Sequence, residues 1–344
     1  MYDREVSEQL GDVATRIKDE LVRKPEGTID VWNEGLGIIN YDQEIREQSF
    51  DLLKPAVTKS TGKVGAVDGS SIILLDAGPF LVGAFRSGFV VFDQGKLVKK
   101  QISPTRVILI SHANRKDIYQ EALSKVTVDP LRDVPHELPV MLQHLRVLEE
   151  WRHANELLSH LEEGDMLMMD GSLWATINWL ETFLDSLTAQ TSERGVHLIG
   201  VSKRSKLSTK TLPLVPLVAR KGNTLFPKSP WTYSLDYSLP KLFGKTYIVK
   251  YHPSSRFAFR TDVNLKERRE PNEVFGKVMP YCCDPMYLGY PYPLAHAHNS
   301  VVLDHSMAED LRFELESTAV TSGIPMRDWE MLFSNFHDIL DLGL

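Results

Sequence analysis

Val64-Gly-Ala-Val-Asp-Gly-Ser-Ser71, running on through Ile72-Ile-Leu-Leu-Asp76 and then Phe80-Leu-Val-Gly-Ala-Phe-Arg-Ser-Gly-Phe-Val-Val-Phe92, is the stretch that decides the fold. Its short runs of Val, Ile, Leu and Phe, punctuated by Gly and Asp, predict strands over 64–71, 72–76 and 80–92. Asp93-Gln-Gly-Lys96 has the composition of a hairpin turn, and the runs Lys96 to Ser103 and Arg106 to Ser111 predict two more strands. Such close succession argues for an antiparallel meander. The apolar span from Ile72 to Phe92 is cut by Asp76, Pro79 and Arg86, so it reads as sheet and not as a membrane span.

Downstream of the meander the period changes. Leu142, Leu145, Leu148 and Trp151 recur at three- and four-residue steps and predict a helix over about 138–161, ended by Gly164. Asp165 to Asp170 is a compact apolar strand, Trp174 to Leu187 a helix, and Gly195 to Val201 the next strand. Thr246 to Tyr251 and Phe257 to Val263 are strand-like, residues from about Leu294 to Thr318 helical, and Trp329 to Leu342 amphipathic. Residues 1–60 read as mainly helical. Strands first, then helix, strand, helix and strand, describe an α/β protein with a mixed sheet flanked by helices. Strict βαβ alternation and a Gly-rich phosphate loop are both missing. Gly62-Lys63 is followed by Val64, and Gly35-Leu-Gly37 lacks a third glycine.

Composition excludes several classes. Hydrophobic residues make up 42% and charged residues 25%, enough to fill a sizeable core and too ordered a mixture for a disordered, collagenous or coiled-coil chain. The two cysteines, Cys282 and Cys283, are adjacent, which suits neither a disulfide framework nor a zinc knuckle. A charged start, Met1-Tyr-Asp-Arg-Glu5, lacks the apolar core of a secretory signal, so the expected location is the cytoplasm. The net charge of −7 hides an asymmetry. From Val201 to Lys250 ten basic residues face one acid, Asp236, for +9, which leaves −16 on the other 294 residues. Phe226, Trp231, Tyr233, Tyr237, Phe243 and Tyr247 interleave these cations. Cations for phosphates and rings for bases are what a single-stranded nucleic-acid groove needs. A solvated loop whose aromatics serve the core is the competing reading.

Two copies of Asp-Gly-Ser, at Asp68-Gly-Ser70 and Asp170-Gly-Ser172, each close an uncharged apolar run. An aspartate at the end of a buried strand costs free energy unless it is paired, hydrogen-bonded or metal-bound, although Asp-Gly is also a common turn. The helix between them offers Glu149 or Glu150, between which periodicity does not choose. The late helix offers His296, His298 and His305. Clustered carboxylates repel by roughly 4 kcal/mol per pair at ~4 Å and an effective dielectric of about 20, so a cluster of this kind exists to hold divalent cations. A carboxylate and imidazole shell suits Mn²⁺ at least as well as Mg²⁺. Two such ions activate water and stabilise the leaving oxygen of a phosphodiester.

An Asp in an early strand, a hairpin, a helical Glu, a second strand-end Asp and a last ligand on a late helix is the order of ribonuclease-H-like nucleases. More closely, the chain resembles the NurA nuclease family. The resemblance rests on Val67-Asp-Gly-Ser70, Met169-Asp-Gly-Ser-Leu173, Gly200-Val-Ser-Lys203, Val249-Lys-Tyr-His-Pro253 and Gly289-Tyr-Pro-Tyr-Pro-Leu-Ala-His-Ala-His298. These segments span about 60–305, and the last is the most specific.

The resemblance implies a ribonuclease-H-like core over 61–320, with a basic, aromatic insertion at about 203–250. An N-terminal helical region over 1–60 and a helical tail over 321–344 flank it. It implies a homodimer and a manganese-dependent deoxyribonuclease that acts in DNA end resection with the hexameric translocase HerA. The expected activity is 5′-3′ exonuclease with single-strand endonuclease activity. By position, Asp68, Glu150, Asp170 and His298 are the metal ligands, with Glu149 the alternative to Glu150. Tyr290, or else Tyr292, stands near the metals, and Lys203 contacts the scissile phosphate. Lys203, Arg204, Lys206, Arg220, Lys221 and Lys250 are the expected DNA-binding cations. The resemblance implies an acidic residue at position 296, where this chain has His296. Competing readings are a non-catalytic DNA-binding scaffold subunit and a phosphohydrolase or actin-like ATPase. The segment Trp329 to Phe336 suits core packing first, with a dimer interface or translocase contact as alternatives.

Overall fold

The computed structural model describes residues 9, 12–19, 29–33, 37–41, 45–56, 62–124, 134–209, 212–236 and 240–333. In chain order these form α1 (residues 12–19), β1 (Ile29–Asn33), β2 (Gly37–Tyr41), β3 (Phe50–Leu52), β4 (Lys63–Asp76), β5 (Phe80–Asp93), β6 (Lys96–Ile102) and β7 (Arg106–Ser111). There follow α2 (Arg115–Ser124), α3 (Leu138–Leu158), β8 (Met166–Asp170), α4 (Asn178–Arg194), β9 (His197–Ser202), β10 (Leu207–Thr209) and α5 (Leu214–Leu225). The chain continues with β11 (Trp231–Ser234), β12 (Gly244–Lys250), β13 (Phe259–Asn264), α6 (Pro271–Val278), α7 (Tyr292–Val301), α8 (His305–Thr321) and α9 (Met326–Phe333). Two compact units interleave in sequence: one holds 1–61, 170–193 and 197–292, the other 62–169, 194–196 and 293–344. No described helix is long and apolar enough to cross a membrane.

In the second of these units the strands lie in the order β8-β4-β5-β6, with β7 also paired to β5. β4 runs parallel to β8 and antiparallel to β5, so the sheet is mixed, as its helix-strand alternation predicts. The runs 64–71 and 72–76 join into one 14-residue strand, because nothing between Ser71 and Ile72 turns the chain. Gln94 and Gly95 both take positive φ (46° and 77°), the conformation of the expected tight hairpin. Helix α3 packs on β4 and β5 and buries Leu142, Leu145, Leu148 and Trp151, the stripe read from periodicity. The late helix is two helices. Asp304 caps α8 by accepting from the Met307 N–H at 2.9 Å, and the Arg86 guanidinium donates to the Val301 and Val302 carbonyls at 2.8 Å. Both ends of the break are therefore satisfied, and the chain turns at 302–304 where periodicity alone runs on.

The other unit has a five-stranded antiparallel sheet, β3-β11-β12-β13-β9, and a small sheet, β10-β1-β2. The mainly helical reading of 1–60 is corrected: β1, β2 and β3 occupy much of its described length. Ile29-Asp-Val-Trp-Asn33 and Gly37-Ile-Ile-Asn-Tyr41 carry the β-branched and aromatic residues of strands, and they pair antiparallel. Trp231 and Tyr233, together with Phe50, Leu214 and Val218, form the core of this unit. The described aromatics of the basic window thus serve packing, since Trp231 and Tyr233 are fully buried and Tyr247 nearly so. The window also contains α5, β11 and β12, so it is structured through most of its length. Lys210 and Tyr237 lie outside the described residues.

The reading of Trp329 to Phe336 as core is also corrected where it is described. α9 buries none of its residues. Trp329 and Phe333 stack on each other at 4.6 Å, and Phe333 meets Phe80 edge-on at 5.8 Å.

Candidate active site

Asp68 lies in the middle of β4, only 3% exposed. Its Oδ1 accepts from the Gly69 N–H at 2.7 Å, and its Oδ2 is 2.8 Å from His298 Nδ1. Beside a carboxylate the Nδ1 is the protonated nitrogen, which leaves the Nε2 lone pair as the ligating or proton-accepting one. His298 itself rides on α7, whose start is set by Pro291 and Pro293. Ser70, the third residue of the motif, accepts from the Leu303 N–H at 2.9 Å. The first Asp-Gly-Ser is therefore a strand segment tied to the C-terminal helices and not a turn.

The geometry also separates Glu149 from Glu150. Glu150 is 7% exposed, pairs with Arg146 one turn away, and reaches so close to Gly69 that a Cβ there would meet Glu150 Oε1 at 2.5 Å. Only glycine leaves room for this carboxylate against the strand that carries Asp68. Glu149 faces a different cleft, where Arg106 and Arg152 hold it at 3.2 and 2.9 Å. Four residues on, buried His153 hydrogen-bonds Ser87 Oγ at 2.7 Å, and burial pushes its pKa down. His296 sits edge-on to Phe92 at 5.6 Å, and burial together with the Lys100 charge lowers its pKa. His305 is exposed and pairs with Glu309.

Val67 and Met169 are register partners in the parallel β4–β8 pair, and the next residue of each strand is an aspartate. Asp170 closes β8 with Lys203 Nζ 2.9 Å from its Oδ2, and the Tyr290 hydroxyl donates to its Oδ1 at 3.4 Å. Tyr290 is buried with its ring edge-on to Phe259, 5.2 Å away. Lys203 follows directly on β9, so the strand end that aims it is the one that runs beside β13. Gly171 takes a positive φ of 114° and donates to the Val201 carbonyl at 2.9 Å. The second Asp-Gly-Ser is thus a true turn, held at its first peptide by β9.

The six expected DNA-binding cations separate by exposure. Lys203, Arg204, Lys206 and Arg220 are exposed. Lys221 donates to the Ile45 carbonyl at 2.9 Å and pairs with Glu47. Lys250 is a correction. It is 2% exposed, its ammonium donates to Asn223 Oδ1 at 2.8 Å, and burial lowers its pKa. A lysine withdrawn this far from solvent supports β12 and does not meet a phosphate. The alternation of a half-solvated strand would have flagged it, but β12 is buried on both faces from Thr246 onward.

Among the described residues no three His, Cys, Asp or Glu side chains are gathered into a metal cage. Sequence reasoning missed one charged pair near Asp170. Arg260 and Asp262 are both almost completely buried on β13, with the guanidinium donating to both carboxylate oxygens at 2.9 Å.

The NurA domain family model matches residues 62–303. The NurA nuclease from Sulfolobus solfataricus has a similar structure, with a TM-score of 0.56 at 14% identity over 94% of this chain and 100% of that one. The catalytic domain of human endonuclease V aligns at a TM-score of 0.38 and 15% identity, over 77% of this chain and 91% of that one. Ciona intestinalis endonuclease V in complex with DNA aligns at 0.40 and 12%, over 90% and 100%. No curated protein matches in sequence. The fold is the ribonuclease-H-like mixed sheet flanked by helices.

Proposed function

The chain belongs to the NurA nuclease family, and from that premise we propose that it is a divalent-metal-dependent deoxyribonuclease that hydrolyses phosphodiesters by a two-metal mechanism. The observation that carries this reading is Asp68, a nearly buried carboxylate held by a backbone N–H and by His298, with Glu150 packed against the adjacent glycine. Buried acids kept in such a setting need a compensating positive charge. The ligand set is Asp68, Glu150, Asp170 and His298. Three carboxylates and one imidazole fit Mn²⁺, and Mg²⁺ as the alternative. Glu150 and Asp170 would hold the cation beside Arg146 and Lys203, with which they form ion pairs.

Bound divalent ions supply Lewis-acid activation of a water and stabilisation of the leaving oxygen. This chain's own residues supply the rest. His298 orients Asp68 through its Nδ1–H. Tyr290 fixes one oxygen of Asp170. Lys203, beside Asp170, would present its ammonium to the scissile phosphate, where charge accumulates in the transition state. The exposed Arg204, Lys206 and Arg220 meet the DNA backbone. In the cell the reading is of a cytoplasmic homodimer that resects DNA double-strand ends as a 5′-3′ exonuclease, with single-strand endonuclease activity, driven by a hexameric HerA-type translocase.

The test is cleavage of end-labelled single- and double-stranded DNA in Mn²⁺, Mg²⁺ or EDTA, alone and with the translocase, beside Asp68→Ala and Asp170→Ala. Metal-dependent degradation lost in both variants is the expected result. Degradation that survives in EDTA or in the two folded variants overturns the proposal. DNA binding without cleavage in every condition assigns the chain to the scaffold role instead.

A further inference from the structure

Asp262 receives four hydrogen bonds on two oxygens. Oδ1 accepts from Thr246 Oγ1 at 2.7 Å and from Arg260 Nε at 2.9 Å. Oδ2 accepts from Arg260 Nη2 and from the Leu173 backbone N–H, both at 2.9 Å. Every partner is a donor, so both oxygens must accept, and a carboxylate meets that condition where an amide does not. The group is wholly buried on β13, opposite Gly200 of β9 and Thr246 of β12. A buried ion pair of this kind is weak evidence for stability, because apolar residues of similar volume fill such a space as well or better. Its retention calls for another account, and the Leu173 contact supplies one.

Leu173 ends the turn that begins at Asp170. The turn lies flat against the sheet. A Cβ at Gly200 would meet the Gly171 carbonyl oxygen at 2.6 Å, and one at Gly244 would meet Asp262 Cβ at 2.7 Å and Leu173 Cβ at 3.2 Å. The Gly171 N–H is held by Val201 and the Phe243 N–H donates to the Leu173 carbonyl at 2.8 Å. Gly171, whose positive φ glycine adopts readily, links these anchors to Asp170. We propose that Asp262, set in place by Arg260 and Thr246, is a positioning residue for the nuclease site: by holding the Leu173 N–H it fixes the 170–173 turn and thereby aims the Asp170 carboxylate. This rests on the reading of Asp170 as a ligand.

Replacing Asp262 alone leaves Arg260 buried without its partner and risks the fold, so the test uses two neutral double variants. Arg260→Met with Asp262→Asn keeps an oxygen for the Leu173 N–H. Arg260→Met with Asp262→Leu has similar volume and no acceptor. Thermal melts establish that both fold, and Asp170→Asn is run alongside. In the Leu variant kcat on DNA falls about 10- to 100-fold with KM unchanged, the scale of a catalytic group misplaced by about an ångström. The Asn variant recovers most of that loss. Hydrogen exchange without any metal gives the second readout: the segment 169–176 exchanges at least about 10-fold faster in the Leu variant than in the Asn variant, and β12 does not change. Equal kcat and equal exchange in the two variants overturn the proposal. Cleavage that persists in Asp170→Asn instead overturns the assignment of Asp170, whatever the exchange at 169–176 shows.

Discussion

Asp68 and His298 stand 230 residues apart in the chain and meet at 2.8 Å, Oδ2 to Nδ1. The contact ties the middle of β4 to α7, and it converts an otherwise costly strand aspartate into a satisfied one. It also fixes the tautomer of the histidine, as carboxylate–histidine pairs at metal sites do.

Because of this contact, His298→Ala is expected to act on chemistry more than on folding. The side chain is 43% exposed, so its removal leaves little cavity. Cleavage at saturating Mn²⁺ should fall about 10- to 100-fold, and the Mn²⁺ concentration for half-maximal rate should rise. A metal titration of initial rates measures both. An unchanged titration removes His298 from the ligand set.

Gly69→Ala adds one methyl group where Glu150 Oε1 already stands. The neighbour is a carboxylate whose position matters to the site, so the space can be made only by moving it. Cleavage should fall at least about 100-fold, while stability falls by about 1–3 kcal/mol, the usual cost of overpacking. Urea denaturation and rate measurements on the same preparation separate the two effects. Glu149→Gln, which alters the other cleft, should leave the rate within about twofold.

The basic window divides into cations that meet solvent and one that does not. Lys206→Ala and Arg204→Ala should each weaken DNA binding across all sequences and lower the slope of log K against log salt by about one. Lys250→Met keeps the volume of the buried side chain and should leave that slope unchanged. Fluorescence anisotropy over a salt series reads all three. A reduced slope for Lys250→Met would restore it to the DNA-binding set.

Acid should loosen the unit that carries α3. His153 is almost fully buried against Ser87, and burial holds its pKa below the ordinary value of 6.5 in the folded state. The unfolded chain then binds the proton first. The stability contributed by the neutral ring is present above about pH 6.5 and is lost as the pH falls below it toward the folded pKa, with a slope of up to about 1.4 kcal/mol per pH unit. His153→Gln should flatten the fall between about pH 6.5 and 5, measured by denaturant midpoints. A variant with the parent's full acid sensitivity excludes His153 as a source of it.

Much of the fold was legible because its signals are local. The Asp93-Gln-Gly-Lys96 hairpin, the β4–β5–β6 meander and the Leu142–Leu145–Leu148 stripe of α3 are written in residues that touch their sequence neighbours or repeat with one period. Helix α5 inside the basic window was missed, since a run that opens Leu-Val-Pro and ends Gly-Asn-Thr-Leu has weak helix propensity. It forms because Leu214, Val218 and Ala219 fit the core around Trp231, and that core is assembled from segments far apart in the chain.

The mixed sheet, the family and the aspartate that closes β8 can be read along the chain, because strand period, turn chemistry and motif order are properties of contiguous residues; that Asp68 lies inside a strand and not at its end cannot. It took the folded chain to show that Glu150 and not Glu149 approaches Gly69, that the Tyr290 hydroxyl reaches Asp170, that Lys250 is buried, and that Asp262 grips the turn after Asp170. Adjacent residues on a helix differ by about 100° in direction, too little for periodicity to choose between them at the border of a face. Which of two neighbours meets a strand, and whether a lysine ends in water or in the core, depends on partners that chain folding brings from tens to hundreds of residues away.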